Sequence, residues 1–151
     1  MNDSIVEALK EEAKKFFIDA RPSHDWGHVE RVENMCMSIG VIEKCNLYIL
    51  SIAAYLHDIA RHEEDISKGK ICHAEKGAVM AREILSRYNI EQFYIDKVAH
   101  CIETHRFRNY KEPKTIEAKV LFDSDKLDSI GAVGIGRAFY FANEIKKIAC
   151  A

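Results

Sequence analysis

The residues of this chain best suited to metal chemistry are histidines set beside aspartates. In SHDWGHVERV, residues 23–32, His24, Asp25 and His28 form a His-Asp-x-x-His spacing, with a shorter acid than the His-Glu-x-x-His of zinc hydrolases. A second doublet, His57-Asp58, closes the apolar run in SIAAYLHDIARHEED, and Asp125 lies in LFDSDKLDSIGAVGIGRAF. A metal site needs neutral imidazoles and carboxylates converging from several elements, because one helix rarely supplies a full coordination shell. His28, His57, Asp58 and Asp125 are such a candidate set. A divalent ion held there would lower the pKa of a bound water and withdraw charge from a phosphoryl oxygen, with Asp58 as the natural proton acceptor. A charged pair directly after SIAAYL is also costly to bury unless it is ligated or paired.

Two alternatives stand beside this set. One is a helical i,i+4 zinc pair of His24 and His28, against which Pro22, Ser23 and Gly27 count: they place His24 at or before a helix start and weaken the turn that follows. Asp25 then suits a helix cap. The other concerns Asp125, whose neighbours Asp123 and Asp128 are also acids. Asp123 falls on nearly the opposite side of a helix, whereas Asp128, at i+3, shares the face of Asp125 and suits a supporting role.

Helices must position these groups, since the hydrophobic period is helical along most of the chain. Ser4 and Glu7 give a capping-box signal, and Ile5, Leu9, Ala13, Phe16 and Phe17 then mark one face of a first helix, ended by DARPS. A second helix is expected from about Asp25 to Cys45, with a core stripe of Val29, Val32, Cys36, Ile39 and Ile42. LYILSIAAYLHDIA is apolar on most sides, which predicts a central third helix. The polar RHEEDISKGK is expected as a loop. Ala74, Ala78, Ala81, Ile84 and Leu85 define a fourth helix, residues 91–105 a fifth, Thr115 to Asp128 a sixth, and Ser129 onward a seventh. Pro22 and Pro113 fall in connections, and no alternating strand pattern occurs. The expectation is an all-α single domain over residues 1–151.

Composition narrows the partners. The 151 residues suit one domain that buries roughly two thirds of its unfolded surface. The five cysteines (Cys36, Cys45, Cys72, Cys101 and Cys150) are scattered, without a Cys-x-x-Cys pair, and read as thiols of a reducing cytoplasm. A charged N-terminus and short apolar runs argue against a secretory leader and a membrane span. The net charge of −2, with evenly spread Lys and Arg, argues against long nucleic acid as a partner. A nucleotide or small phosphate ester remains in keeping with it.

HDWGHVERV, YLHDIA and DSDKLDSIGAVGIGRAF, in that order, closely resemble the HD-domain metal-dependent phosphohydrolase superfamily, over roughly residues 20–140. The resemblance implies an HD-domain helical bundle of about six to seven helices. It gives His28, His57, Asp58 and Asp125 the metal-ligand roles and makes His24-Asp25 a decoy. The last segment is most similar to the bacterial and archaeal branch that resembles nucleoside triphosphate pyrophosphohydrolases, in which a longer C-terminal helical region follows; this chain stops at Ala151. Histidines comparable to His73 and His105 line the pocket in similar proteins, as ligands to a second metal or as phosphate contacts. His105, at a helix end, is preferred to His100. For His73 the alternative is a water-facing residue at a helix start. Glu75 and Lys76 beside it are candidates for orienting water and contacting phosphate, with a charged pair on a solvated face as the alternative, and Lys126 and Arg137 are the other candidate phosphate contacts. Manganese is the expected ion, with Fe, Co, Ni, Zn and Mg as other candidates, although two imidazoles count against Mg as the tightest binder. The expected substrate is a phosphate ester or anhydride of nucleotide type. A di-iron oxygenase and a non-catalytic domain with a structural metal are the other classes, and homo-oligomerisation is left open.

Overall fold

The computed structural model describes residues 3–18, 24–107 and 111–149, and among them every regular element is helical. In chain order these are α1 (Asp3–Lys14), followed by a 3-10 turn Lys15–Phe17, then α2 (Trp26–Ile42), α3 (Leu47–Leu56), α4 (Arg61–Ile66), α5 (His73–Arg87), α6 (Gln92–Thr104), α7 (Ile116–Leu127) and α8 (Gly131–Ala149). The DARPS segment and Cys150 lie outside the described residues; the other four cysteines are free thiols. No helix among the described residues is long and apolar enough to cross a membrane.

Side chains start the helices that carry the chemistry. Asp25 accepts from the His28 N–H at 3.1 Å, Asn46 from those of Tyr48 and Ile49, and Thr115 from that of Ala118, each satisfying donors that an N-terminus leaves open. α1 begins at Asp3, one residue ahead of the expected cap at Ser4. Every residue of α3 from Ile49 to Leu56 is buried, because α1, α2, α6 and α7 all pack on it, and α5 packs in turn on α6. α3 is therefore the axis of the core. Its last turn delivers His57 and Asp58 into the interior, both almost without exposure.

Two expectations need correction. Ile42 is 77% exposed and does not belong to the α2 stripe. That stripe runs Val29, Val32, Cys36, Gly40, and a Cβ at Gly40 would come within 2.6 Å of Leu50 Cδ2, so the helices meet closely there. Ile42, two residues beyond, is rotated about 200° from that contact and faces out. The second correction is α4, which makes a helix of the start of RHEEDISKGK and adds one to the seven expected. Polarity misleads in this segment because its inward charges satisfy one another. Arg61 reaches Asp58 Oδ2 at 3.2 Å and Glu64 Oε2 at 3.1 Å, and Glu64 is buried.

Candidate metal centre

Four side chains meet at the inner ends of three elements. His28 projects from the first turn of α2, His57 and Asp58 from the turn after α3, and Asp125 from the last turn of α7. His28 Nε2 stands 3.3 Å from His57 Nε2, 3.4 Å from Asp125 Oδ1 and 3.7 Å from Asp58 Oδ2. His57 Nε2 is also 3.7 Å from Asp58 Oδ2. On the other side of Asp58, Oδ1 lies 3.2 Å from His73 Nε2 and 3.6 Å from His105 Nε2, and these two nitrogens are 3.2 Å apart. His73 is fully buried at the start of α5, not water-facing.

The hydrogen bonds behind the rings decide which way their lone pairs point. His57 Nδ1–H donates to the Ala54 carbonyl at 2.7 Å and His105 Nδ1–H to that of Ile102 at 2.6 Å. His28 Nδ1–H donates to Asp128 Oδ2 at 2.7 Å, and His73 Nδ1–H to Glu64 Oε2 at 2.5 Å. With Nδ1 of each ring turned to these acceptors, the four rings present Nε2 inward, toward carboxylate oxygens that only accept. Asp58 Oδ1 is buried without a hydrogen-bond partner. A desolvated cluster of acceptors is favourable only if something positive joins it. Mixed imidazole and carboxylate donors fit a divalent transition-metal ion.

The charges around the cluster sharpen this. Burial works against ionisation of Asp58, yet the Arg61 guanidinium holds its carboxyl well below the usual carboxylate range. Asp125 is likewise lowered against the effect of burial, chiefly by its hydrogen bond to His28. Burial pushes the His57 pKa down to about 4, so His57 stays neutral through the physiological range. His28 differs: burial opposes its charge, but hydrogen bonds to Asp125 and Asp128 outweigh burial and raise its pKa. Metal and proton therefore compete for His28 Nε2. Below the raised pKa of His28 the apparent metal affinity is expected to fall about tenfold per pH unit, and above it to level off. Competition titrations at several pH values read this directly, and an affinity flat from pH 5 to 8 contradicts it.

Supporting residues complete the picture. Asp128 is the C-cap of α7; besides His28 it accepts from Arg31 Nε at 2.7 Å and from Arg137. Asp123 is exposed, away from the cluster. Lys126 Nζ bonds the His105 carbonyl at 2.9 Å and Asp125 Oδ2 at 2.8 Å, at the rim. Arg137, on α8, reaches the rim through its bond to Asp128, and a Cβ at Gly134 would collide with the Ser129 carbonyl at the start of that helix. Lys76 is exposed and makes no side-chain contact with the cluster, and Glu75 accepts from Lys111 at 2.9 Å. His100 lies outside it, accepting from the Lys114 N–H. His24 is not clear of the centre: its Nδ1 is 3.8 Å from Asp58 Oδ2 and its ring stands edge-on to His28. It precedes α2, so it forms no helical i,i+4 pair with His28. Arg31, Arg61, Glu64 and Arg106 were not anticipated. A signal for two of them existed, since Asp58, Arg61 and Glu64 recur every third residue, one helical turn apart.

Comparison with known proteins identifies the family. The family model described as HD domain matches residues 25–130. The YpgQ protein of Bacillus subtilis is 34% identical over 141 residues, 91% of this chain; the chain spans only 66% of that relative's length. A crystal structure of a predicted HD superfamily hydrolase from an uncultured Thermotogales bacterium superposes with a TM-score of 0.74 at 35% identity, covering 91% of this chain and 74% of that one. B. subtilis YpgQ crystallised with ADP superposes with a TM-score of 0.67 at 29% identity, covering 91% and 67%. With the match spanning the helices that carry His28, His57, Asp58 and Asp125, the chain belongs to the HD domain family.

Proposed function

We propose that this protein is a metal-dependent hydrolase of phosphate esters or anhydrides, acting on nucleotide-type substrates. The observation that carries the reading is the set of four inward Nε2 atoms around buried Asp58, two at Oδ2 and two at Oδ1, which has no hydrogen-bond partner. His28, His57, Asp58 and Asp125 would hold a divalent cation, manganese first among the candidates. Bound there, the cation lowers the pKa of water and withdraws charge from a phosphoryl oxygen. Asp58, kept ionised by Arg61, accepts the proton of the attacking water. His73 and His105 face the other oxygen of Asp58, where they contact phosphate or hold a second ion. Lys126 and Arg137 place positive charge at the rim, where an anionic substrate would enter. The ADP complex of YpgQ supports a nucleotide-type ligand, and the free thiols support a reducing cytoplasmic setting.

The closeness of His73 and His105 supports a second reading. Together with His28, His57, Asp58 and Asp125 they supply the six protein ligands that a di-iron oxygenase needs. One experiment separates the two. Metal-stripped protein is reloaded with each divalent ion and screened for phosphate release over nucleoside mono-, di- and triphosphates. Release is expected with manganese, with cobalt or nickel substituting. Excess EDTA is expected to abolish it and to lower the melting temperature, since an ion bound only by the folded state stabilises it by mass action. Full release in excess EDTA contradicts the metal mechanism. Iron-dependent oxygen consumption without phosphate release favours the oxygenase.

A further inference from the structure

The two halves of the centre are built alike. Each pairs a histidine at a helix C-cap, its Nδ1–H given to the carbonyl three residues back, with a histidine whose Nδ1–H goes to a carboxylate. In the first half these are His57 and His28, the latter backed by Asp128 at 2.7 Å. In the second they are His105 and His73, the latter backed by Glu64 at 2.5 Å. Each backing carboxylate is gripped by two arginines. Arg31 and Arg137 hold Asp128, while Arg61 at 3.1 Å and Arg106 at 2.5 Å hold Glu64. Asp58 joins the halves, with Oδ2 toward His28 and His57 and Oδ1 toward His73 and His105.

We infer that Glu64 is a positioning residue which, acting through His73, sets the affinity of the Asp58, His73 and His105 half for a second divalent cation. This rests on reading the centre as a metal site. An imidazole can ligate only through an unprotonated nitrogen aimed at the ion, and the ring otherwise has two tautomers and two orientations. Glu64 narrows that freedom: its Oε2 lies 2.5 Å from Nδ1, with Arg106 Nη1 2.9 Å from the same nitrogen, so the ring plane is fixed and Nε2 is placed 3.2 Å from Asp58 Oδ1. The two arginines hold the carboxylate in turn, so its position does not depend on the ion. Glu64 bonds His73, Arg61 and Arg106, whereas the first half has its own support in Asp128, which accepts from His28. The short α4, whose polar sequence suggested a loop, thus carries the residue that decides how many ions are held.

The test is a manganese titration of the metal-stripped protein, followed by electron paramagnetic resonance. Wild type, Glu64→Gln, Glu64→Asp and, as the mirror variant, Asp128→Asn are compared. Wild type is expected to take up two ions, the second producing the signal of a spin-coupled pair. Glu64→Gln should weaken the second ion about 10–100-fold and leave the first unchanged. Asp128→Asn should weaken the first. Glu64→Asp, which keeps the charge between Arg61 and Arg106 but retreats from His73, should weaken the second ion less than Glu64→Gln. It decides the matter if Glu64→Gln does not fold. A merely structural carboxylate would not move one ion selectively. Equal loss of both ions in Glu64→Gln, or wild-type affinity for the second ion in both Glu64 variants, overturns the inference. So does a wild type that binds one ion. A wild type that binds none overturns the metal reading itself, which keeps the two failures apart.

Discussion

Asp58→Asn is expected to reduce phosphate release by about 10³-fold or more, the size of a lost proton acceptor combined with a lost metal. The substitution keeps the side-chain shape and removes the charge. Asp58 faces both halves of the centre: one oxygen lies 3.7 Å from the Nε2 atoms of His28 and His57, the other 3.2 Å from that of His73. An amide at this position supplies one acceptor where two are needed and turns an N–H toward imidazole lone pairs. Metal occupancy should fall with activity. Arg61 loses its charged partner at Asp58 but keeps Glu64 at 3.1 Å, so the metal-free fold should persist. Metal content and a thermal melt of the stripped protein check this. An Asp58→Asn protein that retains wild-type turnover removes Asp58 from the mechanism.

The second large effect separates the two histidines of the first doublet segment. His28→Ala is expected to lose both metal and turnover, because its Nε2 stands within 3.7 Å of His57, Asp58 and Asp125. Asp128 stays satisfied in that variant by Arg31 and Arg137, so the loss is not one of folding. His24→Ala should retain the metal and lose about tenfold in turnover at most, the scale of a residue beside the ligands and not among them. The structure makes this comparison more demanding than the sequence did. His24 lies 3.8 Å from Asp58 with one quarter of its side chain exposed, and burial together with the charge of Arg61 pushes its pKa down to about 3. It is therefore a neutral imidazole near the cluster. Equal loss of metal in both variants would mean that His24 is a ligand.

What could be read in the sequence depended on how local its cause was. The apolar run of α3 announces a buried axis, and a His-Asp pair at its end has nowhere to go but inward, so His57 and Asp58 stand out. His28 and Asp125 stand out by order and motif once that pair is in view. The partners that hold them do not, because hydrogen bonds such as Asp128 to His28 join residues far apart in the chain and leave no periodic trace. Glu64 and Arg61 were hidden by a different cause. Charged residues suggest solvent, and the three-residue spacing of Asp58, Arg61 and Glu64 marks only a shared helical face, not that these groups and His73 neutralise one another inside the protein. Ile42 failed through a small residue: Gly40 carries the α2 stripe to its contact with Leu50, and a search for large apolar side chains passes over it. Lys76 had the right charge beside the right histidine, but its exposed place on α5 leaves it without contact to the cluster.

The account stands or falls on one ion among His28, His57, Asp58 and Asp125. Anomalous diffraction at the manganese edge from crystals of the manganese-loaded protein tests it most directly. A peak is predicted about 2 Å from His28 Nε2, His57 Nε2 and one oxygen each of Asp58 and Asp125. No peak there, or one coordinated by His24 and His28 without His57 and Asp125, would contradict it.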